Sequence, residues 1–238
     1  MIRKYLLGVK ALAVAAVFVA CSNGSSENSV ANATEPFLAD SSPSKSGANL
    51  KDSRDGQTYK TVTIGSQIWM AENLNYETAN SSCFNSDPRN CEIYGRLYSW
   101  AAAVGKKEET CGYGATCELT GPVQGVCPSG WHLPTKTEFE ILLSAVGDWY
   151  TAAPELKYTD GWNHNGNGTN TYGFSALPAG YRYVNGHFLD LGNMAMFWTS
   201  VEESSYWAYC MSVHFSDSHV TLASESKSDG FSVRCVKD

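Results

Sequence analysis

The chain has 238 residues, 17 of them Lys or Arg and 24 Asp or Glu, for a formal net charge of −7 at pH 7. With no cluster of basic residues, that balance argues against a nucleic-acid partner, because neutralising phosphates needs Lys and Arg gathered on one surface. Eight cysteines point to an exported chain with disulfides rather than a cytosolic one with free thiols.

At the N-terminus, Arg3, Lys4 and Lys10 precede the apolar run Ala11 to Ala20, the layout of a secretory signal and too short to span a bilayer. Phe18-Val19-Ala20-Cys21 resembles the lipobox of bacterial lipoproteins, in which the cysteine is acylated and becomes the new N-terminus. Removing residues 1–20 leaves 14 basic against 24 acidic residues. Ser22 after the cysteine favours the outer membrane by the same resemblance, so the expected location is a lipid-anchored outer-membrane protein at the cell surface. The periplasmic face and secretion are the alternatives. Residues 21–50, rich in Ser, Asn and Ala, are read as a disordered tether, and residues 51–238 as one folded domain.

The folded part opens with the polar turn Asp52 to Gly56. Val62 and Ile64 then alternate with Thr61 and Thr63, and Gly65-Ser66 separates them from Gln67 to Met70, which predicts a β-hairpin. Tyr94, Leu97, Tyr98 and Ala101 have helical spacing and Gly105 follows, predicting a helix from about Ile93 to Val104. Thr135 and Glu138 form a capping-box pair. Phe139, Leu142, Leu143 and Val146 behind them recur at i, i+3, i+4 and i+7, so a second helix runs to Gly147. The stretch beyond it, with many glycines among aromatics, reads as loops on short strands. Ser205 to His214, Val220 to Ser224 and Gly230 to Val236 read as three strands.

With Cys21 assigned to lipid, seven cysteines remain, so at least one is unpaired or bonds to another chain. Cys83 with Cys91 and Cys111 with Cys117 would each close a small polar loop. For a long-range bridge, Cys127 with Cys235 and Cys210 with Cys235 compete.

Six blocks in order complete the sequence picture. They are Asp52 to Tyr59 (DSRDGQTY), Ile64 to Leu74 (IGSQIWMAENL), Tyr94 to Trp100 (YGRLYSW), Gly125 to Pro134 (GVCPSGWHLP), Gly173 to Gly180 (GFSALPAG) and Gly230 to Val236 (GFSVRCV). Together they resemble the Fibrobacter succinogenes major paralogous domain, a family of exported bacterial proteins without an established biochemical role. That family is similar to the C-type-lectin-like fold, which includes the formylglycine-generating enzymes. The resemblance implies an α+β, C-type-lectin-like domain: two helices packed on twisted antiparallel sheet, first and last strands together, and long disulfide-stapled loops. It also implies the Cys127–Cys235 bridge and leaves Cys210 over. Activity does not carry across so readily. The Glu-Pro-Asn, Gln-Pro-Asp and Trp-Asn-Asp signatures of calcium-dependent lectins are absent, Trp162-Asn163-His164 being the nearest approach, and no block reproduces the reactive-cysteine setting of the enzymes.

The segment Asp160 to Asn170 alternates amides with glycines and could wrap calcium, but its single carboxylate favours a turn-rich loop and no metal. No His-Glu-x-x-His, Cys-x-x-Cys, nucleophile elbow or phosphate loop is present, so neither a cofactor nor an enzyme is expected. Trp162, Tyr181, Tyr183, Tyr206 and Trp207, with Asn163, Asn165 and Asn167, are the candidate ligand-binding residues, because flat aromatic faces beside amides suit sugar rings. Each aromatic taken singly reads as core before it reads as platform. The expected function is a non-catalytic surface binding or adhesion module for polysaccharide. A structural or envelope-protein-binding role is the alternative.

Overall fold

Alternation along the sequence builds the first sheet. The computed structural model describes residues 45–238; the signal, Cys21 and the tether up to residue 44 lie outside the described residues. Strands β1 (Lys45–Ser46), β2 (Leu50–Lys51), β3 (Thr58–Tyr59), β4 (Thr61–Ile64) and β5 (Gln67–Met70) come first. β4 and β5 pair antiparallel, Thr61 opposite Met70 and Ile64 opposite Gln67. Gly65 makes the predicted turn at φ +57°, where a Cβ would stand 2.8 Å from that of Ala145. β1 pairs with β4 and β2 with β3, so the fold begins ahead of residue 51.

The helix expected over 93–104 is instead three elements. After β6 (Ser81–Ser82), α1 (Pro88–Tyr94) starts where the Asp87 side chain accepts from the Arg89 N–H and Pro88 opens the first turn. It stops at Gly95, whose φ is +73° and whose Cβ would collide with Asn73 and Leu74. Leu97 and Tyr98 then form β7 (Leu97–Tyr98), paired with β6. Helix resumes only at α2 (Trp100–Ala103), capped by Ser99, and again at α3 (Glu108–Cys111). The apolar spacing imitates a helical stripe, but Gly95 and the strand pairing override it.

The predicted central helix is present. It follows β8 (Trp131–His132) as α4 (Lys136–Val146). The Glu138 N–H donates to the Thr135 hydroxyl at 3.2 Å, and the Thr135 N–H donates to the Glu138 carboxylate at 2.7 Å. Phe139, Leu142, Leu143 and Val146 are all buried, each contributing about 1.5–3 kcal/mol by leaving water. Phe139 packs on Trp69 with ring centroids 5.1 Å apart.

Downstream come α5 (Ala152–Leu156), β9 (Tyr181–Arg182), β10 (Phe188–Leu189), β11 (Met194–Glu202), β12 (Trp207–His214), β13 (Val220–Ser226) and β14 (Val236–Lys237). β11, β12 and β13 form an antiparallel sheet in that order. β11 is missing from the sequence reading because Ala195 to Ser200 are all buried and the period-2 signal vanishes. One face, with Ala195, Phe197, Met211 and Val213, joins the core under α4. The other, with Met196, Trp198, Ala208 and Cys210, joins the core around Trp100 and Phe231. The third expected strand, from Gly230, does not continue that sheet. It makes single bridges to Arg182, Tyr98 and Phe197, then enters the five-stranded sheet β1-β4-β5-β14-β8. The last strand, β14, therefore lies between β5 of the opening hairpin and β8, with β1 at the far edge of the same sheet. Disulfides join Cys83 to Cys91, Cys111 to Cys117 and Cys127 to Cys235, leaving Cys210 free and buried.

Where the blocks meet, Arg234 is fully buried. Its guanidinium donates to Asn73 Oδ1 at 2.7 Å, to the Ser175 carbonyl at 2.7 Å, to the Met70 carbonyl at 3.3 Å, and to the Phe174 carbonyl. Asn73 in turn donates to the Tyr94 carbonyl at 2.8 Å. Burial pushes the Arg234 pKa down to about 9, so it stays charged at neutral pH. Four of the six blocks thus converge on one cation whose hydrogen-bonding capacity is spent on the fold.

Candidate functional site

A cleft of about 740 Å³ opens between the Asp52–Gln57 turn, the Asn75–Glu77 segment and the Cys83–Cys91 loop. The turn is held from behind: Arg54 pairs with Asp52 at 2.6 Å, donates to the Val126 carbonyl at 2.9 Å and lies 3.8 Å over the Tyr76 ring. Burial opposes ionisation of Asp52, but its bonds to Arg54 outweigh that and lower its pKa. Gln57 donates to Asp55 at 2.6 Å and to the Asn75 carbonyl at 3.1 Å, and the Asn75 N–H donates to the Tyr59 hydroxyl at 3.1 Å. The segment is thereby fixed through its main chain, which leaves the Asn75 side chain uncommitted. The opposite wall is stapled by the Cys83–Cys91 disulfide and carried by α1.

The lining is mixed: carboxylates of Asp55, Glu77 and Glu92, the guanidinium of Arg96, amides of Gln57 and Asn75 and serine hydroxyls stand among the Tyr76 ring, Pro88 and the Cys83–Cys91 disulfide. Arg96 is paired with Glu77 at 2.7 Å. Ser81 is spent locally, its hydroxyl donating to the Thr78 carbonyl at 2.8 Å. Asn75 Oδ1 and Ser82 Oγ are different. Both are buried atoms without a hydrogen-bond partner, and the third such side-chain atom among the described residues is Asp229 Oδ1, away from the cleft. Leaving a buried polar atom unpaired costs about 1–3 kcal/mol, so two such atoms on residues of one cleft lining stand out from the satisfied groups around them.

The residues singled out in the sequence are not gathered in this way. Trp162 is buried at 5% exposure, its indole N–H donating to the Ala176 carbonyl at 3.2 Å, so it is core and no platform. The Trp162 N–H donates to Asn167 Oδ1 at 3.0 Å, and Asn163 donates to Asn193 Oδ1 at 3.1 Å, which is turn chemistry. Asn165 is exposed with φ +60°. Tyr181 is half-buried, edge-on to Phe231, while Tyr183 is exposed on the β9–β10 hairpin. Tyr206 and Trp207 are exposed at the start of β12. Tyr206 meets Tyr113, a residue the sequence did not single out, at 4.9 Å between ring centroids. These positions lie on three separate elements. Cys210, the competing partner for Cys235, is free and buried, and burial pushes its pKa well up, away from the reactive thiolate.

The sequence signal for the cleft was the Cys83–Cys91 spacing beside a polar turn. Its lining comes from segments that have no apolar period, so nothing in the sequence joins Asp55 to Glu92.

Taken together, the described residues form a mixed α and β domain of small antiparallel sheets and few helices, closed by three disulfides and bearing an open cleft. Residues 62–237 match the sequence signature of the Fibrobacter succinogenes major domain, and the chain belongs to that family. No curated protein and no solved structure matches the chain.

Proposed function

We propose that this chain is an exported, lipid-anchored binding module of the outer envelope that holds carbohydrate in the cleft without catalysis. The observation that carries the reading is the pair of unpartnered buried atoms, Asn75 Oδ1 and Ser82 Oγ, on residues of a cleft that sets carboxylates, amides and hydroxyls beside the Tyr76 ring. Sugar hydroxyls, which donate and accept, are the groups such a lining completes. Support for a C-type-lectin-like arrangement comes from the adjacency of β5 and β14 and from the Cys127–Cys235 bridge.

The experiment is a screen of the full-length chain in detergent against immobilised plant and bacterial polysaccharides, with calcium and with chelator. Saturable retention of at least one glycan is expected, and loss of that retention in Asn75→Ala with Ser82→Ala. Retention of none would sink the reading. For the anchor, Cys21→Ala should abolish incorporation of labelled palmitate and release the chain from the membrane fraction. Unchanged labelling would refute lipidation at Cys21.

A further inference from the structure

We infer that the cleft selects glycans bearing free amines, an amino-sugar polymer in preference to a neutral or an acidic one. This rests on the cleft being the carbohydrate site. Three carboxylates, Asp55, Glu77 and Glu92, line it against the single guanidinium of Arg96. That guanidinium is committed to Glu77 and its side chain is only 15% exposed. The next cation, Arg54, is committed to Asp52 and to the Val126 carbonyl. Asp55 and Glu92 form no ion pair among the described residues.

The hydrogen-bonding balance points the same way. Asp55 takes the Gln57 main-chain N–H at 3.0 Å and its side-chain amide at 2.6 Å, so the donors of Gln57 are turned to the wall. The cleft therefore presents the free lone pairs of the exposed Asp55 and Glu92 carboxylates, with the unpartnered Asn75 Oδ1 buried behind its lining. A protonated amine brings three donors and a charge, and no acceptor. Its bonds to carboxylates are charge-assisted, roughly twice as strong as neutral ones. A neutral hydroxyl brings one donor. A uronate brings a further carboxylate, and like charges repel.

The test is titration calorimetry on the full-length chain with the glucosamine hexamer, its N-acetylated counterpart, cellohexaose and a galacturonate hexamer, with hexalysine as charge control, in low and high salt. The expected result is at least about tenfold tighter binding of the amine-bearing hexamer than of the other four. That preference shrinks in high salt as the charges are screened. Asp55→Asn with Glu92→Gln should bring the amine-bearing and N-acetylated hexamers to similar affinities. Should that variant fail to fold, the salt dependence of the unaltered chain decides. Equal or tighter binding of cellohexaose or of the N-acetylated hexamer, a salt-independent preference, or hexalysine matching the glycan would overturn the inference while the carbohydrate reading stands or narrows. Binding of no oligosaccharide would overturn both.

Discussion

The junction around Arg234 and the cleft beside Asn75 are built from the same kinds of group in opposite states. At the junction a buried cation reaches four acceptors, and Asn73 is itself tied by its amide to the Tyr94 carbonyl. In the cleft, Asn75 and Ser82 keep buried atoms with no partner. Asn73 and Asn75 stand two residues apart on one segment, yet one is consumed by the fold and the other is left over. The difference teaches where to look: four of the six blocks that identify the family are spent on the Arg234 junction, and unspent capacity lies beside them at Asn75 and Ser82 and within the first block at Asp55.

The largest expected effect comes from breaking the junction. Arg234→Met leaves the carbonyls of Met70, Phe174 and Ser175 without that donor and should cost about 3–5 kcal/mol in urea unfolding, at about 1–3 kcal/mol for each buried acceptor left unpaired. Arg234→Lys should recover only part of it, because one ammonium cannot reproduce a planar fork. Loss below about 1 kcal/mol would mean that the blocks do not meet through this cation. Next in size, replacing both Cys127 and Cys235 by Ala, which opens a bridge with a sequence separation of 108, should cost about 2–5 kcal/mol.

Asp229 sharpens the comparison, since its Oδ1 is unpartnered outside the cleft. Burial first, against the favourable Val184 N–H, pushes its pKa up to about 6. A raised carboxyl pKa means the folded state holds the proton more tightly. Its contribution is therefore fully present below the ordinary value near 4 and is lost as pH rises through about 6, for about 2–3 kcal/mol by linkage. Asp229→Asn should flatten that decline and raise stability at pH 7, with glycan binding unchanged. A steeper decline in the variant would contradict the assignment.

A smaller pH effect belongs to His132, whose ring nitrogens lie 2.7 Å from Glu138 and 2.7 Å from Asp238. Burial lowers its pKa, but the two carboxylates outweigh burial and raise it. The stabilisation is thus complete below the ordinary pKa near 6.5 and disappears as pH climbs through the raised value. His132→Gln should cost about 1–3 kcal/mol at acid pH, the worth of a hydrogen-bonded charge, and much less at alkaline pH. Thermal melts across pH check both titrations.

The same contrast governs what the sequence discloses. Thr135 with Glu138 and the stripe from Phe139 to Val146 announce α4 because cap and period are local. Val62, Gly65 and Trp69 announce a hairpin for the same reason. β11 stays hidden because a strand buried on both faces has no alternation, and Leu97-Tyr98 pass for helix because Gly95 breaks a period that spacing alone suggests. Trp162 looked like a platform, although only three-dimensional packing against the Ala176 carbonyl decides that it is core. The cleft is the least legible feature, since it depends on which polar atoms the fold leaves unpaired.

The most direct measurement is the affinity of the best-retained glycan for the unaltered chain, for Asn75→Ala with Ser82→Ala, and for Tyr206→Ala with Trp207→Ala, alongside the unfolding free energy of each. The cleft variant should lose at least about tenfold in affinity, or 1.4 kcal/mol, with stability unchanged or raised, and the aromatic variant should bind as before. Unchanged affinity in the cleft variant, or binding that disappears with Tyr206 and Trp207, would contradict the account and place the site on the start of β12.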